Sequence, residues 1–215
     1  MFLILLLVSG VEHKIAQAWA ETSLQDLAAG NVKAPEVSFV GGDARLRADT
    51  DGVSHVALAF PVPAGAAAKP FEVLSTTLAH KFVNSSIVQF VVKYSHGGLF
   101  GLYVSGQSKD TSASLEQCIA ELKSIAGGKV GAVEVAKTQL SLSKALQIEG
   151  DGASSALLNS LHTGSSVTEA TKYGDVTPNT VSAAAASALK GNSAYAVLGS
   201  TLGTLSFDKV TKLLK

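Results

Sequence analysis

The residues of this chain that could do chemistry are five histidines, one cysteine and a few glycine-spaced segments. The histidines are His13, His55, His80, His96 and His162, and no two stand three or four residues apart. No helical face therefore offers two imidazoles to a metal ion. Glu12-His13 matches the last two letters of the zinc-peptidase signature H-x-x-E-H, but Ser9 stands where the first histidine belongs. Without that ligand the motif cannot close around zinc. Cys118 lies in a helical pattern with no cation patterned beside it, which suits a buried structural thiol better than a nucleophile. Gly101 and Gly106 have phosphate-loop spacing, but Gln107 replaces the lysine and the segment reads as a strand. No G-x-G-x-x-G follows a strand, and no G-x-S-x-G occurs. Asn84-Ser-Ser86 is a glycosylation sequon only in a secreted chain. The His96-Gly97-Gly98 turn could hold a ligand, although a plain hairpin loop explains it better. Asp43, Arg45, Arg47, Asp49 and Asp51 form either a contact edge or a solvated edge strand of alternating charges. The motifs thus predict no catalytic residue, no metal ligand set and no bound cofactor.

The elements that would position such residues follow from periodicity. Residues 11–28 carry Val11, Ile15, Ala18, Trp19, Leu24 and Leu27 at roughly helical spacing. Gly30, Asn31 and Pro35 interrupt the chain, and Phe39 starts a new segment. Residues 53–62 read as a strand ended by Pro61 and Pro63, and 64–69 as a loop. Pro70 suits the first turn of a helix faced by Phe71, Val73, Leu74, Leu78 and Phe82. Residues 87–94 and 99–104 form a predicted hairpin joined by Ser95-His96-Gly97-Gly98. Asp110 or Thr111 is the expected cap of a helix carrying Leu115, Ile119, Leu122 and Ile125, ended by Gly127-Gly128. Further helices are expected from Gly131 to about Ile148, over 153–162 and over 178–190. Ser166 and Glu169 have capping-box spacing, and Thr177-Pro178 opens the Ala-rich helix. Residues 194–198 read as a last central strand, and 206–214 as a closing helix. The predicted fold class is α+β: a mixed, partly antiparallel sheet with helices packed on it.

Composition bounds the function. Of 215 residues, 47% are hydrophobic and 16% charged, too apolar for a disordered chain. Seventeen Lys and Arg balance seventeen Asp and Glu, without the basic excess of a nucleic-acid binder. One cysteine excludes a disulfide framework. The apolar run Phe2–Val8 is far short of the roughly 20 residues that span a bilayer, so no transmembrane span is expected. It reads as a buried strand, with a signal-like segment or a gene-model artefact as alternatives. The length suits one domain, or one domain plus a fragment of another.

Several segments together resemble one family. They are Gly10-Val-Glu-His13 with the helix after it, Phe39-Val-Gly-Gly-Asp-Ala-Arg45, and Ser54-His-Val-Ala-Leu-Ala-Phe60. The most specific is Tyr94-Ser-His-Gly-Gly-Leu-Phe-Gly-Leu-Tyr103, followed by Val133-Glu-Val-Ala-Lys-Thr-Gln-Leu140 and Ala194–Gly199. In order and spacing they resemble the core protein 2 family of mitochondrial ubiquinol–cytochrome c reductase, respiratory complex III. That family is related to the mitochondrial processing peptidases and the pitrilysin-type metallopeptidases. Members have two similar α/β halves, and zinc sits in the first half of active subunits. The resemblance implies that residues 1–30 are the remnant strand and helix of a first half-domain. Residues 36–215 would then be the second, metallopeptidase-like domain. The chain is on that basis expected to be a fragment, a split subunit or a mis-started gene model. Expressed alone, it is expected to aggregate.

The implied function is that of a structural, non-catalytic core subunit supporting assembly and stability of complex III. The implied partners are a core protein 1-like subunit, cytochrome b, cytochrome c1 and the iron–sulfur subunit. The implied place is the mitochondrial inner membrane, on its matrix side and peripheral to it. The alternative is the non-zinc part of a heterodimeric processing peptidase, with Arg45, Arg47 or Tyr94 as candidate substrate contacts. Lys81–Ile87 lacks the long glycine-rich loop of that peptidase's alpha subunit, which argues against that subunit. A third reading is a secreted module with a glycan at Asn84.

Overall fold

The structure, a computed structural model, describes residues 8, 10–27, 38–48, 52–83, 85–94, 96–149, 153–163 and 171–215. Residues 2–7 of the expected opening strand lie outside the described residues, as do Asn84, Asp49, Asp51 and the Ser166–Glu169 pair. The first described helix is α1, His13–Leu24, and none of its residues is buried.

The strand period of two makes one sheet face apolar. In β2, Val53–Val62, the residues Ser54, Val56, Leu58, Phe60 and Val62 point to the same side and are buried. Antiparallel β4, Gly97–Gln107, supplies Phe100, Leu102 and Val104 to that side. β3, Ile87–Tyr94, pairs with β4, and β5, Ala194–Gly199, adds Tyr195 and Val197 from the far side of β2. β1, Gly42–Arg47, runs parallel to β5 and closes the sheet, giving the order β1-β5-β2-β4-β3. The sheet is therefore mixed and the class is α+β, in agreement with the sequence.

Three helices cover the inner face: α2 (Lys69–Lys81), α3 (Ser108–Ala126) and α6 (Pro178–Lys190). Each contributes an apolar stripe at helical spacing, such as Leu115, Ile119 and Leu122 on α3. Helix α4 (Val133–Glu149) packs on α2, and α5 (Ala153–Thr163) packs on α4. Helix α7 (Phe207–Leu214) ends the chain, with Val210 and Leu214 buried. The α6 start matches its sequence signals. Thr177 accepts a hydrogen bond from the Thr180 backbone N–H, and Thr180 reciprocates at the Thr177 N–H.

Three local expectations are corrected. The second hairpin strand begins earlier than expected, at Gly97, because Gly97 already pairs with Tyr94 and Gly98 with Lys93. Gly98 can join the strand there because its missing side chain lets the Val92 carbonyl approach. Helix α3 begins at Ser108 and not at Asp110 or Thr111. β4 runs into it without a loop, since the buried Ser108 hydroxyl is held by Ser54 Oγ at 2.7 Å and the Ser200 carbonyl at 3.1 Å. Most of the expected loop 64–69 is a 3-10 turn, Gly65–Ala68, leading into α2 at Lys69. The charged segment Asp43–Arg47 lies in an exposed edge strand, a position compatible with both readings of its alternating charges.

Candidate functional site

The outer sheet face carries the side chains opposite to the core set: Leu46, Leu198, His55, Ala57, Tyr103, Val88, Phe90 and Val92. Leu46, Leu198, Val88 and Val92 are all exposed. Across β1, β5, β2 and β4 this face forms a shallow trough of about 410 Å³, lined among others by Ala44, Leu46, His55, Ala57, Tyr103 and Leu198. Its polar atoms face each other. His55 Nδ1 lies 2.6 Å from the Tyr103 hydroxyl, and the rings stack with centroids 6.0 Å apart. This is a diagonal cross-strand pair, since Tyr103 sits opposite Ala57. The trough can take apolar contacts and one hydrogen bond. It cannot run a serine-type reaction: Ser54 precedes His55, so its hydroxyl lies on the buried side, bonded to Ser108.

A larger cleft of about 880 Å³ lies where β1 and β5 begin, between the ends of α3, α6 and α7. Val40, Leu189 and Phe207 line it together with Lys123, Lys190 and Lys215. Lys123 and Lys190 occupy the last turns of α3 and α6, where a cation offsets the negative helix end.

The residues singled out by sequence do not converge. Arg45 is occupied locally: it pairs with Asp43 at 3.0 Å, donates to the Leu205 carbonyl at 2.9 Å, and lies 5.5 Å from the Tyr195 ring centroid. Tyr94 ends β3 at the opposite edge and is exposed. Four strand spacings, on the order of 19 Å, separate that edge from the β1 strand of Arg45 and Arg47. They do not form one substrate site. His80 bonds Gln139 and His55 bonds Tyr103. Among the described residues, no group of three or more His, Cys, Asp or Glu side chains could hold a metal ion. Cys118 is fully buried, and burial pushes its thiol pKa up to about 12, which suppresses the thiolate. The segment between Gly101 and Gly106 is strand throughout, without a phosphate-binding turn.

The cluster that sequence reasoning missed surrounds Glu72. This buried carboxylate on α2 accepts from Lys93 of β3 at 2.7 Å, Lys144 of α4 at 3.0 Å and the Tyr173 hydroxyl at 2.6 Å. Burial alone would raise its pKa. Lys144 and Lys93, with hydrogen bonds from Lys93 and Tyr173, outweigh that and hold it below the ordinary carboxylate value. The only sequence signal was a glutamate inside the apolar run Phe71-Glu-Val-Leu74. Its partners stand 72 and 101 residues away along the chain for Lys144 and Tyr173.

The sheet thus has an inner face packed under helices and an outer face left open. The family model described as "Peptidase M16 inactive domain" matches residues 2–142. The chain belongs to this M16 inactive-domain family. It is 27% identical over 166 residues to the mitochondrial-processing peptidase subunit beta of Blastocladiella emersonii, covering 65% of this chain and 36% of that protein. It superposes on a chain in the structure of "Complex III2 from Candida albicans, Inz-5 bound" with a TM-score of 0.72. That match covers 95% of this chain and 56% of the other at 16% identity, which is a likeness of fold. This M16 chain thus spans about a third to just over half of the length of these relatives. Among its described residues, no helix is long and apolar enough to cross a membrane.

Proposed function

We propose that this M16 inactive-domain chain is a structural, non-catalytic core protein 2-like subunit of mitochondrial complex III. It acts by presenting packed helices and an open sheet face to other subunits. The observation that carries this reading is the fold match over 95% of the chain to a chain of a complex III structure, joined to an inactive-domain family. Residues 36–215 form its metallopeptidase-like domain, and residues 1–30 belong to a preceding half. A core protein 1-like subunit is its direct partner, with cytochrome b, cytochrome c1 and the iron–sulfur subunit in the same assembly. It sits peripherally on the matrix side of the inner membrane. The sequestered Cys118 and the engaged Arg45 support a role without catalysis by these residues.

The 27% identity to a processing-peptidase beta subunit favours a second reading, the non-zinc part of a heterodimeric processing peptidase. One experiment separates them: affinity purification of the tagged chain from solubilised mitochondria. Recovery of cytochromes b and c1 is expected. A soluble two-subunit complex that cleaves presequences, without cytochromes, overturns the first reading in favour of the second.

A further inference from the structure

The helices of this fold are attached in two different ways. Helices α2, α3 and α6 hold to the sheet through fully buried apolar side chains such as Leu74, Leu78, Leu122 and Val181. The 17-residue helix α4 buries only Val133 and Ala136, both at its start, with Leu140 partly buried beside them. Val135, Leu142 and Leu146 are exposed on it. Further along, its ties to the body are polar. Gln139 meets His80 of α2, the Ser141 hydroxyl donates to the Thr171 carbonyl at 2.9 Å, and Lys144 reaches Glu72. Helix α5 packs on α4. A helix such as α4, held by few buried apolar contacts and by polar ties, belongs to the low-stability end of a fold.

Glu72 is where those ties meet. One carboxylate joins α2 to β3 through Lys93, to α4 through Lys144, and to the segment before α6 through Tyr173. Two ammonium groups share this one anion, so the charges do not balance. Burial and the second ammonium of Lys93 accordingly outweigh Glu72 at Lys144, whose pKa is held below the ordinary lysine value. Taking Glu72 away leaves two half-sheltered cations facing each other, whereas taking Lys144 away leaves an intact Lys93–Glu72–Tyr173 set.

We propose that Glu72 is the latch of a local opening unit. When it is neutralised, α4 and α5 swing off α2 together while the sheet and the α2–α3–α6 layer stay folded. The titratable and charged groups facing it are Lys93 from β3, Lys144 from α4 and Tyr173 from the segment before α6. The direction with pH follows from the lowered carboxylate pKa. The latch is fully engaged above the unfolded glutamate value, near 4.5, and is lost as pH falls through the lower folded value. This inference stands independently of the assignment to complex III.

Hydrogen–deuterium exchange of the full chain as isolated tests it, with wild type, Glu72→Gln and Lys144→Met compared at neutral pH. Glu72→Gln should speed exchange in residues 133–163 by roughly tenfold or more, with residues 53–62, 97–107 and 108–126 unchanged. Lys144→Met should act in the same residues by a smaller factor. Uniform acceleration across the chain, failure of both variants to fold, or unchanged exchange in residues 133–163 would overturn the latch.

Discussion

The two faces of the sheet carry almost the same residue types and meet opposite fates. On the inner face, Leu58, Phe60, Phe100 and Leu102 are fully buried under helices. On the outer face, Leu46, Leu198, Val88 and Val92 stand in the open although they are equally apolar. The difference lies in the cover. The chain supplies α2, α3 and α6 for one side, and no described helix packs over the other. An antiparallel sheet that faces water usually alternates apolar with polar residues. An apolar outer face instead marks a surface built to be covered by something else.

The comparison can be broken by mutation. The largest effect is expected inside. Leu102→Ala should cost about 2–5 kcal/mol, because the fully buried site loses its contacts and leaves a cavity. Urea unfolding checks this, and a cost under 1 kcal/mol would deny that the inner face is the core. An intermediate effect is expected where the two strands touch most closely on the outer side. Gly101 lies flat under the ring of Phe90, and a side chain there would occupy the ring's place. Gly101→Val should therefore cost about 1–3 kcal/mol by overpacking. Thermal melts of Gly101→Val alone and with Phe90→Ala separate this cause from others, because removing the ring should restore part of the loss.

Smaller still is the α6 cap. Thr177→Ala should cost about 1 kcal/mol, since the Thr180 N–H loses its acceptor. The smallest change in stability is expected at the outer face itself. Leu198→Ser should alter the unfolding free energy by no more than about 0.5 kcal/mol. It should nevertheless reduce self-association measured by light scattering. A core-sized stability loss at Leu198 would erase the distinction between the faces.

Much of the fold was legible locally. The β2 strand falls on residues 53–62 and the Ala-rich helix on residues 178–190, as their periodicity and the Thr177-Pro178 start require. These signals act over a few residues, so neighbours in sequence suffice. β1 was harder. Gly42–Arg47 has exposed charges and no apolar alternation, and it becomes a strand because β5, more than 150 residues later, offers it a parallel edge. The start of α3 moved for a similar reason. The Ser108 hydroxyl is anchored by Gly52, Ser54 and Ser200, none of which is near it in sequence.

The same division holds for function. Sequence alone determined the helices and most strands, the lack of a metal-binding spacing, and the resemblance to a family of paired metallopeptidase-like halves. Those depend on residue type and short-range order. Only the tertiary structure decided that Arg45 and Tyr94 lie at opposite edges of the sheet. It also decided that Ser54 and His55 face opposite ways, and that Glu72 gathers Lys93, Lys144 and Tyr173. Such juxtapositions depend on strand order and helix packing, which bring together residues whose separation along the chain carries no local signal.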